Sequence, residues 1–188
     1  MDFYYRVGRY SLYLLSFLLL LVFTRIFLFQ IYRISGNSML PTLKHGDIVL
    51  VYKYKFPQKL SSAKEFTFFG RLKVNRLDQV LFEAPNGDYY VKRIIGLPGD
   101  FYAFRGMEVL IDSKPLNETY ILRPENFPIL TPKDMQTGNF YNLLSEGRIP
   151  PGYYLLLGDN RKISYDSRDL GLIPEERLRG KVVYVFSL

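Results

Sequence analysis

The sequence predicts a mainly β domain of coiled sheets or a partly open barrel, interrupted by a loop-rich insertion and preceded by one N-terminal transmembrane helix. Three observations predict it. An apolar run from Tyr10 to Tyr32 is broken only by Ser11, Ser16, Thr24, Arg25 and Gln30. After residue 33 the pattern changes to short apolar runs of strand length, punctuated by Gly, Pro, Asn and Asp. Helical periodicity is poor there, and 16 Tyr and 15 Phe favour strands.

Taken in order, residues 1–9 read as a cytoplasmic N-terminus, because Arg6 and Arg9 precede the apolar run. Residues 10–32 read as a retained anchor. As a helix the run is about 34 Å long, against a hydrocarbon core of about 30 Å. It is long for a signal-peptide core, and no small-residue cleavage site follows; the chain continues Ile31-Tyr32-Arg33-Ile34. Arg33 and Lys44 flank the far end, so charge bias alone decides little about orientation.

Residues 33–188 read as the β domain. Ile48–Tyr52 follows the turn Gly46-Asp47. Gln79–Phe82 and Tyr89–Ile95 flank Pro85-Asn86-Gly87-Asp88, a hairpin signal. Glu108–Asp112, Tyr153–Leu157 and Lys181–Phe186 complete the strand set. Arg123 to Pro151, with five prolines and few strand-like runs, reads as a loop-rich insertion. Lys64 to Arg71 places Phe66, Phe68 and Phe69 in a short stretch. Those rings either fill the core or form a hairpin tip in the membrane interface.

Composition narrows the chemistry. Cysteine is absent, which excludes disulfides, thiol catalysis and Cys-based zinc sites. His45 is the one histidine, so a His-rich metal site is excluded, and no metal is expected. A Ser-His-Asp triad would have to use His45, which lies in a charged turn where an exposed histidine is ordinary. The net charge of +7 is scattered and forms no Lys/Arg block, so it reads as compatible with anionic phospholipid and not as a nucleic-acid footprint.

Three polar segments stand out. Ser35-Gly36-Asn37-Ser38-Met39-Leu40-Pro41-Thr42-Leu43 puts a serine in a glycine-bearing turn, which serves equally as a linker between anchor and domain. In Tyr90-Val91-Lys92-Arg93-Ile94-Ile95, Lys92 shares a strand face with Tyr90 and Ile94. It is either an edge-strand device or a buried amine. Burial lowers a lysine pKa, and bringing it from about 10.4 to near 8 corresponds to roughly 3 kcal/mol of differential solvation. Gly158-Asp159-Asn160-Arg161-Lys162-Ile163-Ser164-Tyr165-Asp166-Ser167-Arg168 springs from the apolar Leu155–Leu157, so it reads as a polar loop on a rigid strand.

Together these segments resemble the bacterial type I signal peptidase (leader peptidase) family of Ser/Lys serine proteases. SGNSMLPTLKHGDIVLV is similar to its nucleophile box, LDQVLFEAP to the following strand, YYVKRIIGLPGD to its general-base box and LLGDNRKISYDSRDLGLIPEERLRGKV to its final box. The membrane exit RIFLFQIYRISG and the stretch VLIDSKPLNETY, like the hairpin entering the family's cap, extend the likeness over nearly the whole chain. The resemblance implies a cap insertion at about residues 105–150.

The resemblance implies that Ser38 is the nucleophile and Lys92 its neutral general base, acting through an acyl-enzyme without a cofactor. It implies that the Ser38 N–H holds the oxyanion, that Ser164 orients the Lys92 amine, and that Asp159, Asp166 and Arg168 brace the site. Tyr32, Ile34, Met39, Leu43, Val49, Tyr90 and Val91 are the implied walls of shallow substrate pockets. The implied substrates are signal-peptide-bearing preproteins. The implied location is the bacterial cytoplasmic membrane, single-pass, with the catalytic domain outside. Three departures bear on this. Gly36 stands where many relatives carry a serine that donates to the oxyanion, Ser35 replaces a common proline, and Lys162-Ile163 replaces an Asp-Asn pair. A self-cleaving or inactive membrane-tethered module on the same scaffold is the alternative.

Overall fold

The computed structural model describes residues 2–53, 73–106, 108–121 and 146–187. Phe66 to Phe69 and most of the expected insertion lie outside the described residues.

Helix α1 spans Asp2–Phe27. Its segment Arg6–Thr24, of mean hydropathy 1.7, is long and apolar enough to cross a membrane, and none of it is buried against protein. The hydroxyls of Ser11, Ser16 and Thr24 donate to the carbonyls of Gly8, Tyr13 and Leu21 at 2.8, 2.9 and 2.8 Å. Their polarity is thus consumed within the helix, as an apolar span requires.

The helix stops five residues before Tyr32, where the apolar run was expected to end as helix. Phe29–Arg33 is instead strand β1, antiparallel to β2 (Ile48–Lys53), with Phe29 opposite Tyr52 and Arg33 opposite Ile48. The pairing explains the early stop. Lys53 N–H donates to the Leu28 carbonyl at 2.8 Å, so a neighbouring strand takes over just where the helix would need its next turn. Apolar content carried the run to Tyr32 in sequence, but the strand partner lies about twenty residues downstream.

The remaining strands are β3 (Gln79–Glu83), β4 (Tyr89–Gly96), β5 (Phe101–Arg105), β6 (Glu108–Ile111), β7 (Lys114–Pro115), β8 (Glu146–Arg148), β9 (Tyr153–Leu157), β10 (Ile173–Pro174) and β11 (Leu178–Phe186). The short helix α2 covers Ser167–Leu170. The first sheet runs β1-β2-β11-β3-β4-β9-β10 and curls into a half-barrel, as the sequence predicts; the second runs β7-β6-β5-β8. Bulges between Ile94 and Gly96, Leu178 and Gly180, and Val182 and Tyr184 curl the first sheet. The β3–β4 hairpin closes on the expected turn, with Gly87 at φ +84° and Ala84 N–H donating to the Asp88 carbonyl at 2.8 Å.

Strands β5, β8 and β10 are not expected from the sequence. β8 falls inside the stretch read as loop, since Glu-Gly-Arg carries no strand-forming residue. Its pairing with β5 imposes the conformation, placing Gly147 opposite Tyr102, where an added Cβ would meet the Tyr102 hydroxyl at 3.2 Å.

Three buried clusters hold the sheets. Val80, Phe82, Ile94, Leu156 and Ile173 fill one face of the half-barrel. Ile95, Tyr102, Val109, Ile149 and Leu155 join the two sheets. Met39, Leu43, Val49, Val51, Leu81 and Val91 form the third, with Tyr32 and Ile34 packed against it. Because β4 contributes Ile94, Ile95 and Val91 to all three, any group it carries between them is fixed in place.

Candidate active site

The loop 35–43 joins β1 to β2. Met39 and Leu43 are its anchors, 2% and 0% exposed in the third cluster. Leu43 N–H and the Thr42 hydroxyl both donate to the Met39 carbonyl, at 2.9 and 3.0 Å. Ser38, immediately before the Met39 anchor, is half-buried and held toward β4.

Lys92 is 3% exposed, which settles the two readings of this lysine in favour of the buried amine. Its Nζ lies 2.8 Å from Ser38 Oγ. It also stands 5.7 Å from the Tyr90 ring centre, on the face that alternation predicts. Pairing of β4 with β9 begins only at Arg93, opposite Leu157, so the strand beside Lys92 is open to the serine loop. Burial lowers the Lys92 pKa to about 8; Asp166 opposes that shift and Arg168 adds to it.

The loop after β9 closes the other side. Asn160 N–H donates to the Ser38 carbonyl at 2.9 Å, and Asn160 Nδ2 to the Asn37 carbonyl at 3.2 Å. Gly158 sits so close that an added Cβ would lie 2.6 Å from the Ser38 carbonyl and would collide with the Ser164 side chain. Ser164 is buried beside it. Asp166 caps α2 and forms a two-pronged ion pair with Arg168, 2.9 Å on each side. Gly158 N–H also donates to Asp166 at 2.9 Å. Burial pushes the Asp166 carboxyl up, but its hydrogen bonds and the Arg168 charge outweigh that and hold it below the usual range.

Asp159 pairs with Arg93, whose Nε donates at 2.8 Å, and accepts from the Thr42 hydroxyl. Gln79 Nε2 donates to that hydroxyl at 3.1 Å. The serine loop, β3, β4 and the post-β9 loop are thus locked together beneath the Ser38–Lys92 contact. Thr42 and Arg93 are missing from the site residues expected from sequence. A second charged residue beside Lys92 in an apolar strand was the available signal, since a buried guanidinium requires a carboxylate.

Of the expected pocket residues, Tyr32, Ile34, Met39, Leu43, Val49 and Val91 gather in the third cluster. Met39, Leu43, Val49 and Val91 are buried, whereas Tyr32 and Ile34 are half-buried. Tyr90 lies apart from them, edge-on to Phe82 at 6.0 Å in the first cluster. Gly36, at φ +96°, donates its N–H to His45 Nδ1 at 3.2 Å. No group of three or more metal-ligating side chains occurs among the described residues.

Comparison with known proteins places the chain in a family. The sequence profile described as "Signal peptidase, peptidase S26" matches residues 7–187. The chain is 35% identical to a signal peptidase I from Bacillus caldolyticus over 160 residues, 84% of this chain and 79% of that one. It is likewise 35% identical to signal peptidase IB of Staphylococcus aureus over 162 residues, 82% and 76% of the two chains. A crystal structure of a signal peptidase I from Enterococcus faecalis is 28% identical, covers 59% of this chain and 97% of its own, and superposes with a TM-score of 0.43.

Proposed function

The chain belongs to the signal peptidase family of serine proteases, peptidase S26, and we propose that it cleaves signal peptides from preproteins with Ser38 as nucleophile and Lys92 as general base. The observation that carries the assignment of roles is the 2.8 Å contact between Ser38 Oγ and an amine that is almost fully buried. A protonated lysine in that position is penalised, so an appreciable neutral fraction exists near neutral pH.

Neutral Lys92 takes the proton as Ser38 Oγ attacks the scissile carbonyl. The tetrahedral intermediate collapses with cleavage of the C–N bond, and the Lys92 ammonium returns the proton to the leaving amine. Lys92 then removes a proton from water, which attacks the ester and releases Ser38. The Ser38 N–H faces the oxyanion, and Gly36 brings no hydroxyl to assist it. Ser164, buried beside Gly158, accepts a hydrogen bond from the Lys92 amine once the Ser38 proton is in flight. Asp159, Asp166 and Arg168 keep that loop in register. Tyr32 and Ile34 meet the small side chains that precede the cut.

Helix α1 has the length and composition of a single-pass membrane anchor. Arg6 and Arg9 favour a cytoplasmic N-terminus, which puts the catalytic domain outside the bacterial cytoplasmic membrane, against phospholipid head groups and away from nucleic acid.

The test uses the full chain in detergent with a preprotein, the new N-terminus being mapped by mass spectrometry. Wild type is expected to cut once, after the signal peptide. Ser38→Ala, Lys92→Ala and Lys92→Arg are each expected to lose at least about 10³-fold in kcat, arginine because it keeps its proton. Turnover by Ser38→Ala at the wild-type rate would end the assignment.

A further inference from the structure

Among the described residues, the Glu118–Arg161 pair is enclosed and has no part in the chemistry. Glu118 and Arg161 form an ion pair with side chains only 2% and 5% exposed. The Tyr120 hydroxyl donates to Glu118 at 2.7 Å. Burial, with Glu118 beside it, holds the Tyr120 phenol well above its ordinary pKa, so it remains a donor. The Tyr120 ring in turn covers the Arg93 guanidinium at 4.1 Å.

Both ends of this set lead to the dyad. Arg161 Nε donates to the Gly158 carbonyl at 3.1 Å, and its own carbonyl accepts from Arg168 Nη1 at 2.8 Å. Gly158 is the residue against which the Ser38 carbonyl and Ser164 pack. At the other end, Arg93 follows Lys92 directly on β4. Its guanidinium is tied to Asp159 and, at 2.8 Å, to the Leu77 carbonyl. Three carboxylates, on Glu118, Asp159 and Asp166, are matched by three guanidinium groups, on Arg93, Arg161 and Arg168. Removing a carboxylate from such a set leaves a buried cation without its partner, and the loop carrying it must move.

We infer that Glu118 and Tyr120, on the segment that follows β7, are positioning residues for the Ser38–Lys92 pair. Glu118 fixes the Ser164 loop through Arg161, and Tyr120 fixes the Lys92 strand through Arg93. This rests on the dyad proposed above. Neither residue touches the reacting atoms. Tyr120 restrains the strand that carries Lys92, and Glu118 restrains the loop whose Asn160 N–H holds the Ser38 carbonyl; a shift of about 1 Å is costly at a 2.8 Å contact between the two.

The experiment uses the full chain in detergent with Glu118→Gln, Tyr120→Leu and Tyr120→Phe. Kinetics on a preprotein are read beside amide hydrogen exchange and melting temperature. Glu118→Gln and Tyr120→Leu are expected to lower kcat about 10- to 100-fold with KM within about twofold. Tyr120→Phe, which keeps the ring on Arg93, is expected to recover most of that loss. In Glu118→Gln the amides of Gly158 and Asn160 should exchange at least about tenfold faster, with those of β3 and β9 unchanged. Wild-type kcat in both Glu118→Gln and Tyr120→Leu overturns the inference. So does faster exchange spread over the whole sheet, which marks a general structural role. A wild type that cleaves no preprotein defeats the proposed function; the exchange arm then decides this inference alone, and unchanged exchange at Gly158 and Asn160 overturns it.

Discussion

At the residue scale the molecule turns on the cost of burying Lys92. Its pKa is about 8 in the folded chain against 10.5 when free, with burial as the main cause. The sign follows from proton binding. Between those two values the unfolded chain holds a proton that the folded chain has released, so stability rises with pH across that window. Below about pH 8 both states are protonated, and folding carries the full penalty of about 3 kcal/mol. Lys92→Met keeps the length and drops the charge. It is expected to melt higher than wild type at pH 7, with the advantage shrinking as pH rises from about 8 toward 10.5; a melting series over that range measures it. Equal melting temperatures at pH 7 would mean that the charged amine is solvated where it stands. Residue by residue, the sequence left Lys92 open between edge strand and interior, because the answer depends on β9 and on a serine loop far away along the chain. Thr42 was illegible for the same reason, and Arg93 showed in sequence only as a charge in an apolar strand, without its partner. Their common partner, Asp159, lies 117 and 66 residues further on.

At the element scale the loop after β9 depends on a missing side chain. Gly158 has the Ser38 carbonyl on one side and Ser164 on the other, and no room for a Cβ. Its backbone conformation is one that other residues can adopt, so the constraint is one of space. Gly158→Ala is expected to push the Ser38 and Ser164 loops apart and lower kcat about 100-fold, while the melting temperature changes little because the sheets remain intact. Steady-state kinetics beside a thermal melt check it, and an unchanged kcat contradicts the packing described. Elements were legible where they are local. The β3–β4 hairpin announced itself through Pro-Asn-Gly-Asp, and β2, β6 and β9 through apolar runs. They were illegible where pairing decides. Glu-Gly-Arg becomes β8 only because Phe101 and Tyr102 lie opposite. The last residues of the apolar run become β1 only because β2 takes their backbone groups.

At the scale of the whole molecule, α1 and the β domain share a boundary that the apolar run conceals. Since β1 belongs to the sheet, the cut that frees a soluble domain falls at Leu28, before Phe29. Removing residues 1–28 is expected to leave the melting temperature of the β domain within a few degrees of the full chain. Removing residues 1–33 strips an edge strand and the Tyr32 packing from the third cluster, which should lower it by about 5 °C or more. Equal melting temperatures for the two truncations would show β1 to be dispensable. The overall architecture, a helix followed by a curled, open sheet, was readable from the change of pattern after residue 33. The charge network that joins the second sheet to the serine loop was not, since its members lie on segments that meet only in the folded chain.

The central claim is that a neutral Lys92 activates Ser38, and the dependence of kcat/KM for preprotein cleavage on pH tests it most directly. The rate should rise with pH through a single ionisation near 8, the value that burial gives the Lys92 amine, and level off above it. His45→Ala should leave that inflection in place, since His45 accepts from the Gly36 N–H and makes no hydrogen bond with Ser38 or Lys92 among the described residues. A pH dependence that vanishes in His45→Ala would contradict the account and hand the base to histidine.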